Sequence, residues 1–243
     1  MGQYFNDSPL YVKYPDFDAL KKLLVSYYYQ TWIAGGTITR IKQTSINIIK
    51  NVKSNKGIKT IQELILHNID SYNTFDQYFY NLWESSSVYP SKWVRPVLAL
   101  ANYFMVDEEK PNFIVMDAET QVEHVLPQSP KKGSQWNADF NKGKKEEWVN
   151  NIANLTLLKR KKNAKALNGD FDEKRKIYGG KDTSKVISCY DITKELYSNY
   201  RKWNEKSLQE RYKSLYNTIT PVLHIEGQEE EFEEEIEEEI DLE

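Results

Sequence analysis

Two short runs in this 243-residue chain read as β-strands, and nearly everything around them is patterned for helices. The first run is Thr120 to His124, inside Gln121-Val122-Glu123-His124-Val125-Leu126-Pro127-Gln128, and the second is Asn154-Leu155-Thr156-Leu157-Leu158. Pro127 stops the first because proline has no N–H to give to a strand ladder. With so little strand to place, the expected fold is mainly α: a helical bundle with an inserted ββα motif.

The helices follow from apolar spacing and from their stop signals. Asp16-Phe17-Asp18 opens one that runs through Leu20, Leu23, Leu24 and Tyr27 to Ile33, where Gly35-Gly36 ends it. Further helices are expected over 37–52, 60–69, 74–84 and from Pro90-Ser91 to Met105. Short connections between them predict packed neighbours. His67 lies among Leu64, Ile65, Leu66 and Ile69 and reads as a helix-face or packing residue. A short helix is expected within 144–151, and another opening at Asn163. Helices over 192–201 and 206–219 follow, with Pro221 forcing a stop or a kink. The expected organisation is an N-terminal helical bundle (1–110), a ββα core (111–180), C-terminal helices packing on the bundle (181–224) and an acidic tail (225–243).

Composition narrows the class. Aromatics make up 13% of the chain, which fits a globular protein. The single cysteine, Cys189, excludes an internal disulfide and a thiolate zinc cluster and fits a cytoplasmic setting. The most apolar stretch, Trp93 to Val106, is interrupted by Arg95 and Asn102 and is too short for a bilayer, so no membrane partner is expected. Met1-Gly2-Gln3-Tyr4 does not open a secretory signal.

Net charge is unevenly spread. Residues 225–243 hold 12 acids and no Lys or Arg, whereas the rest of the chain carries 33 basic against 24 acidic residues. From Lys131 to Lys176 there are 13 Lys or Arg and 6 Asp or Glu. Lys159, Arg160, Lys161, Lys162 and Lys165 form the densest part of this run and are the candidate nucleic-acid contacts. A positive rim steers and holds a polyanion. In the tail, Phe232, Ile236 and Ile240 recur every four residues among glutamates. A solvated segment is the ordinary reading; competition with DNA for the basic rim is the sharper one.

Glu123 and His124 sit at the end of the first strand, and Asn163 follows the second. Cleaving a phosphodiester takes a base that accepts a proton from water and a cation that balances developing negative charge. Histidine suits the first task, and carboxylate and amide oxygens suit the second. A lone Glu-His pair is common by chance. The combination of Glu123, His124, Pro127, Gln128, Trp136, Asn154 to Leu158, Asn163, Asn168, Phe171, Lys174 and Tyr178 is not.

That combination resembles the C-terminal nuclease domain of GmrSD-type, modification-dependent restriction endonucleases, which is of the HNH (His-Me finger) kind. Trp203, Arg211 and Leu215 extend the likeness. The resemblance implies a ββα-metal site and a DNA endonuclease acting in restriction or anti-phage defence. His124 would be the general base, with Asn154 in the catalytic set as the brace of the loop that aims it. Glu123 and Asn163 would be the metal ligands, Glu123 either directly or as support. Asn163 stands where many HNH enzymes have histidine, which favours Mg²⁺ or Mn²⁺ over Zn²⁺. Ala153 stands where glycine is expected. Neighbours on a regular strand point to opposite faces, so Glu123 and His124 share one site only if the strand bends or ends there.

Family members couple this domain to a ParB-like nucleotide-hydrolysing domain. Its motif is not found here, so a separate subunit or domain is the implied partner beside DNA. Two other functions remain open at this point: a catalytically silent nucleic-acid-binding module, and an RNA-cleaving nuclease or toxin on the same fold.

Overall fold

The computed structural model describes residues 14, 16–105, 116–183 and 185–228; the acidic residues 229–243 lie outside that range. The chain divides after Tyr78 and again after Pro221 into two compact units. The first unit holds the residues up to Tyr78 and those from Val222, and the second holds Phe79–Pro221.

In the first unit, α1 (Phe17–Ile33), α2 (Ile38–Lys53) and α3 (Ile58–Ser71) pack with α3 against both others. Their buried stripe is Leu20, Leu23, Tyr27, Ile48, Ile61, Ile65 and Ile69, joined by Tyr14 and by Ile225. The turn after α1 depends on its glycines. Gly35 has φ +78°, and a Cβ on Gly36 would lie 2.4 Å from Thr31 Cγ2. Thr37 then caps α2, its hydroxyl accepting the Arg40 N–H at 3.2 Å. His67 is exposed on α3.

The short helix α4 (Thr74–Phe79) opens into one wide turn, Tyr80–Glu84, and α5 (Val94–Phe104) begins three residues later than the sequence suggests. Two strands follow, β1 (Thr120–His124) and β2 (Leu155–Lys159), paired antiparallel from Thr120 opposite Lys159 to His124 opposite Leu155. Between them lie α6 (Trp136–Asp139), α7 (Lys142–Trp148) and a single tight turn, Ile152–Asn154. Asn154 therefore precedes the second strand rather than opening it. The helix α8 (Arg160–Ala166) begins directly after β2, so Asn163 sits one turn inside it rather than at its start.

After α8 come α9 (Phe171–Tyr178), α10 (Asp191–Asn199) and α11 (Glu205–Leu223). Glu173 reaches back to accept the Asp170 N–H at 3.1 Å and so starts α9. The expected stop at Pro221 is not made: α11 runs two residues past it, forgoing the one hydrogen bond that proline cannot donate.

The sheet is covered by α5, α8 and α10, all within the second unit. Its core gathers Val125, Leu126, Trp136, Phe140, Trp148, Leu158, Phe171, Tyr178, Leu196 and Trp203. Burying large aromatic side chains is worth roughly 1.5–3 kcal/mol each. The observed architecture is mainly helical with one two-stranded sheet, and no described helix is long and apolar enough to cross a membrane.

Candidate active site

His124 ends β1, and the chain beyond it is held from several sides. Val125 N–H donates to Asn154 O at 2.9 Å, continuing the pairing for one residue past the strand. The Asn154 side chain then takes over. Its Oδ1 accepts from Leu126 N at 2.7 Å and from Trp203 Nε1 at 3.1 Å. Its Nδ2 donates to Leu126 O and to Val149 O, each at 2.9 Å. An amide has two donor hydrogens and two acceptor lone pairs, so Asn154, with no solvent exposure, is fully satisfied. It has nothing left to offer a substrate or a cation. Arg211, also buried, donates to the neighbouring Ala153 carbonyl.

His124 is 9% exposed. Its Nε2 lies 3.0 Å from Asn150 Oδ1, and the same oxygen accepts from Gln128 Nε2 at 3.0 Å. An amide oxygen has no proton to give, so Nε2 carries the hydrogen and Nδ1 keeps its lone pair. The Tyr89 ring lies 4.2 Å from the imidazole, centroid to centroid. Asn150 is fixed in turn, its carbonyl accepting from Val88 N at 3.0 Å and Tyr89 N at 3.3 Å. Burial lowers the His124 pKa below the ordinary histidine value, against the Asn150 hydrogen bond and with the help of the Lys174 charge.

Glu123 has a different set of partners, as strand alternation requires. Its Oε1 accepts from Lys174 Nζ at 2.7 Å and from Tyr178 OH at 3.1 Å, both from α9. All three side chains are buried. Burial pushes the carboxyl pKa up while the Lys174 charge pulls it down. Lys174 also donates to His124 O at 2.5 Å. One ammonium thus joins the carboxylate and the backbone of the histidine.

Asn163, half-buried on α8, donates through Nδ2 to Gln121 Oε1 at 3.0 Å and Val122 O at 3.4 Å. Its Oδ1 is not used in those bonds. No cluster of three His, Cys, Asp or Glu side chains that could hold a metal ion is found among the described residues. A hard dication takes oxygen donors. Asn163 Oδ1 fits such an ion, and so does the second oxygen of Glu123, the first being engaged by Lys174 and Tyr178.

The basic residues of this run differ in their partners. Lys159 pairs with Asp117 at 3.2 Å, Arg160 with Glu119 at 3.5 Å, and Lys165 with Asp182 at 3.2 Å. Lys162 is 8% exposed and donates to the Ile177 carbonyl near the C-terminal end of α9, where a cation is favoured. Lys161 is exposed.

His124, Glu123 and Asn154 thus lie at or next to the end of β1, the first two with separate partners, while Asn163 is bonded further back along the strand to Gln121 and Val122. Asn150 and Tyr89 complete the histidine's surroundings, and no motif or spacing singles out either. Asn150 falls within the short helix expected over 144–151, and Tyr89 comes from 35 positions upstream of His124. Residues 48–218 match the family model for the C-terminal domain of GmrSD restriction endonucleases, and the chain belongs to that family. Its class is therefore that of the nucleases. Among curated proteins and among solved structures, nothing matches the chain.

Proposed function

We propose that this chain is a metal-dependent HNH endonuclease that hydrolyses DNA phosphodiester bonds, acting in the cytoplasm as the nuclease part of a restriction or anti-phage system. The reading rests above all on His124, whose Nε2 is committed to Asn150 while Nδ1 keeps its lone pair. Burial favours the neutral ring, which is the form a general base needs.

In this mechanism Nδ1 takes a proton from water as the water oxygen bonds to phosphorus. The ester P–O bond breaks, and the leaving oxygen takes its proton from solvent. Asn154 holds the backbone that follows the base, and Lys174 holds the carbonyl of the base itself. Asn163 and Glu123 would hold a Mg²⁺ or Mn²⁺ ion, which when bound supplies positive charge to the phosphoryl and leaving oxygens. Lys161, exposed on α8 two residues before Asn163, contributes phosphate attraction without sequence choice. Sensing of modified bases would come from a ParB-like nucleotide-hydrolysing partner.

The test is cleavage of supercoiled plasmid, modified phage DNA and structured RNA, with Mg²⁺, with Mn²⁺ and with chelator. The chain should cut DNA only with metal, and His124→Ala should lower the rate by about 10²- to 10⁴-fold with DNA binding retained. Equal rates for His124→Ala and the parent would overturn the assignment of the base. Cutting of RNA alone would replace DNA as the substrate.

A further inference from the structure

The helix α2 carries an exposed face whose chemistry calls for a partner. Ile38, Ile46 and Ile49 are 72%, 47% and 52% exposed. Lys42, Lys50 and Lys53 are exposed with them, and among the described residues none of the three has an ion pair. Positions 38, 42, 46, 49 and 53 recur at helical spacing and lie on one face, while Thr44 and Ile48 point the other way into the unit. The helix has four basic residues and no acidic one.

Three isoleucines among unpaired lysines suit an occupant that is apolar along one stripe and acidic around it. A second copy of the same face would set lysine against lysine. A nucleic-acid backbone would set phosphates against isoleucine.

Residues 229–243 have the complementary pattern: Phe232, Ile236 and Ile240 at four-residue spacing, eleven acids, and no Lys or Arg. We infer that this segment docks along the exposed face of α2. The chain leaves for it from the same unit. Gln62 Nε2 donates to Glu226 O at 2.7 Å, and Gln30 Nε2 donates to Gln228 Oε1 at 2.9 Å. Gln62 lies on α3, which packs directly against α2. Coiled as a helix, the fifteen residues span about 22 Å, close to the roughly 24 Å of α2. The tether keeps their local concentration high, so a weak contact is enough to fill the face. The acidic segment is thereby assigned to the first unit and not to the lysine run after β2.

Lysine acetylation of the full chain, read residue by residue by mass spectrometry, tests this. The comparison is with the full-length variant Phe232→Ser, Ile236→Ser, Ile240→Ser. Lys42, Lys50 and Lys53 should react at least threefold more slowly in the parent, and high salt should narrow the gap. Lys161 and Lys165 should react alike in both chains. Equal reactivity of the α2 lysines would overturn the proposal, as would protection found at Lys161 and Lys165 instead. Protection that survives the three substitutions and grows with protein concentration would also overturn it, by assigning the face to a second copy.

Discussion

The Nε2 of His124 sits 3.0 Å from the side-chain oxygen of Asn150, and this one contact decides which ring nitrogen has a free lone pair. Burial holds the ring below its ordinary value of 6.5, so the neutral form dominates at neutral pH. Cleavage should therefore stay level around neutrality and fall only as pH drops through that lowered value. Stability has the same sign: the contribution of the neutral ring is present above the unfolded-state value and is lost as pH falls through the folded one. Asn150→Asp places a carboxylate on Nε2, which favours the imidazolium, and should move the acid limb of the rate profile to higher pH. An unmoved limb in a pH series with this variant would separate Asn150 from the base.

Removing the Asn154 side chain leaves four groups without their partner: Leu126 N, Leu126 O, Val149 O and Trp203 Nε1. Unpaired buried polar groups cost about 1–3 kcal/mol each, partly relieved by relaxation. Asn154→Ala should lose about 3–5 kcal/mol in urea denaturation. A loss below about 1 kcal/mol would show that the brace is dispensable.

Lys174 and Glu123 form a buried pair, and breaking such a pair from one side typically costs about 3–5 kcal/mol because it strands the remaining charge. Lys174→Met and Glu123→Gln should each be strongly destabilising, while the double variant should recover much of that loss. Additive losses in the thermodynamic cycle would mean that the two side chains act independently.

The lysines after β2 should separate by experiment. Lys161→Ala should lower the slope of log affinity against log salt by up to about 0.9, the value for one phosphate contact. Lys162→Ala should instead reduce stability and leave the slope unchanged, because its ammonium is spent on the Ile177 carbonyl. Titrations of DNA binding over a range of salt distinguish the two.

Much of this was legible in the sequence because it is local. Helix α1 and strand β1 begin and end where apolar spacing, Gly35-Gly36 and Pro127 say they should. The start of α8 was placed three residues late because Arg160 to Lys162 carry no apolar signal; the helix begins there because the strand stops at Lys159. Pro221 misled for the opposite reason, a strong local signal that falls too near the end of α11 to break it. The ion pair of Glu123 was unreadable in a different way: Lys174 lies 51 residues further on, and nothing local to either residue announces the other. Asn150 and Tyr89 share that difficulty. The residues of the site that spacing could reveal were those in strands or adjoining them, and those that set its protonation, Asn150 and Lys174, came from distant parts of the chain.

Trp203 holds Asn154, Arg211 holds Ala153, and Asn154 holds the backbone just beyond His124. The residues proposed to cut are all encoded by residue 163, but their support arrives only some forty positions later. A ribosome translating this message thus exposes the histidine well before the clamp that steadies it has been made. Breakage of the polypeptide between these points would yield a fragment that keeps the proposed site residues and lacks the side chains that hold the loop after His124.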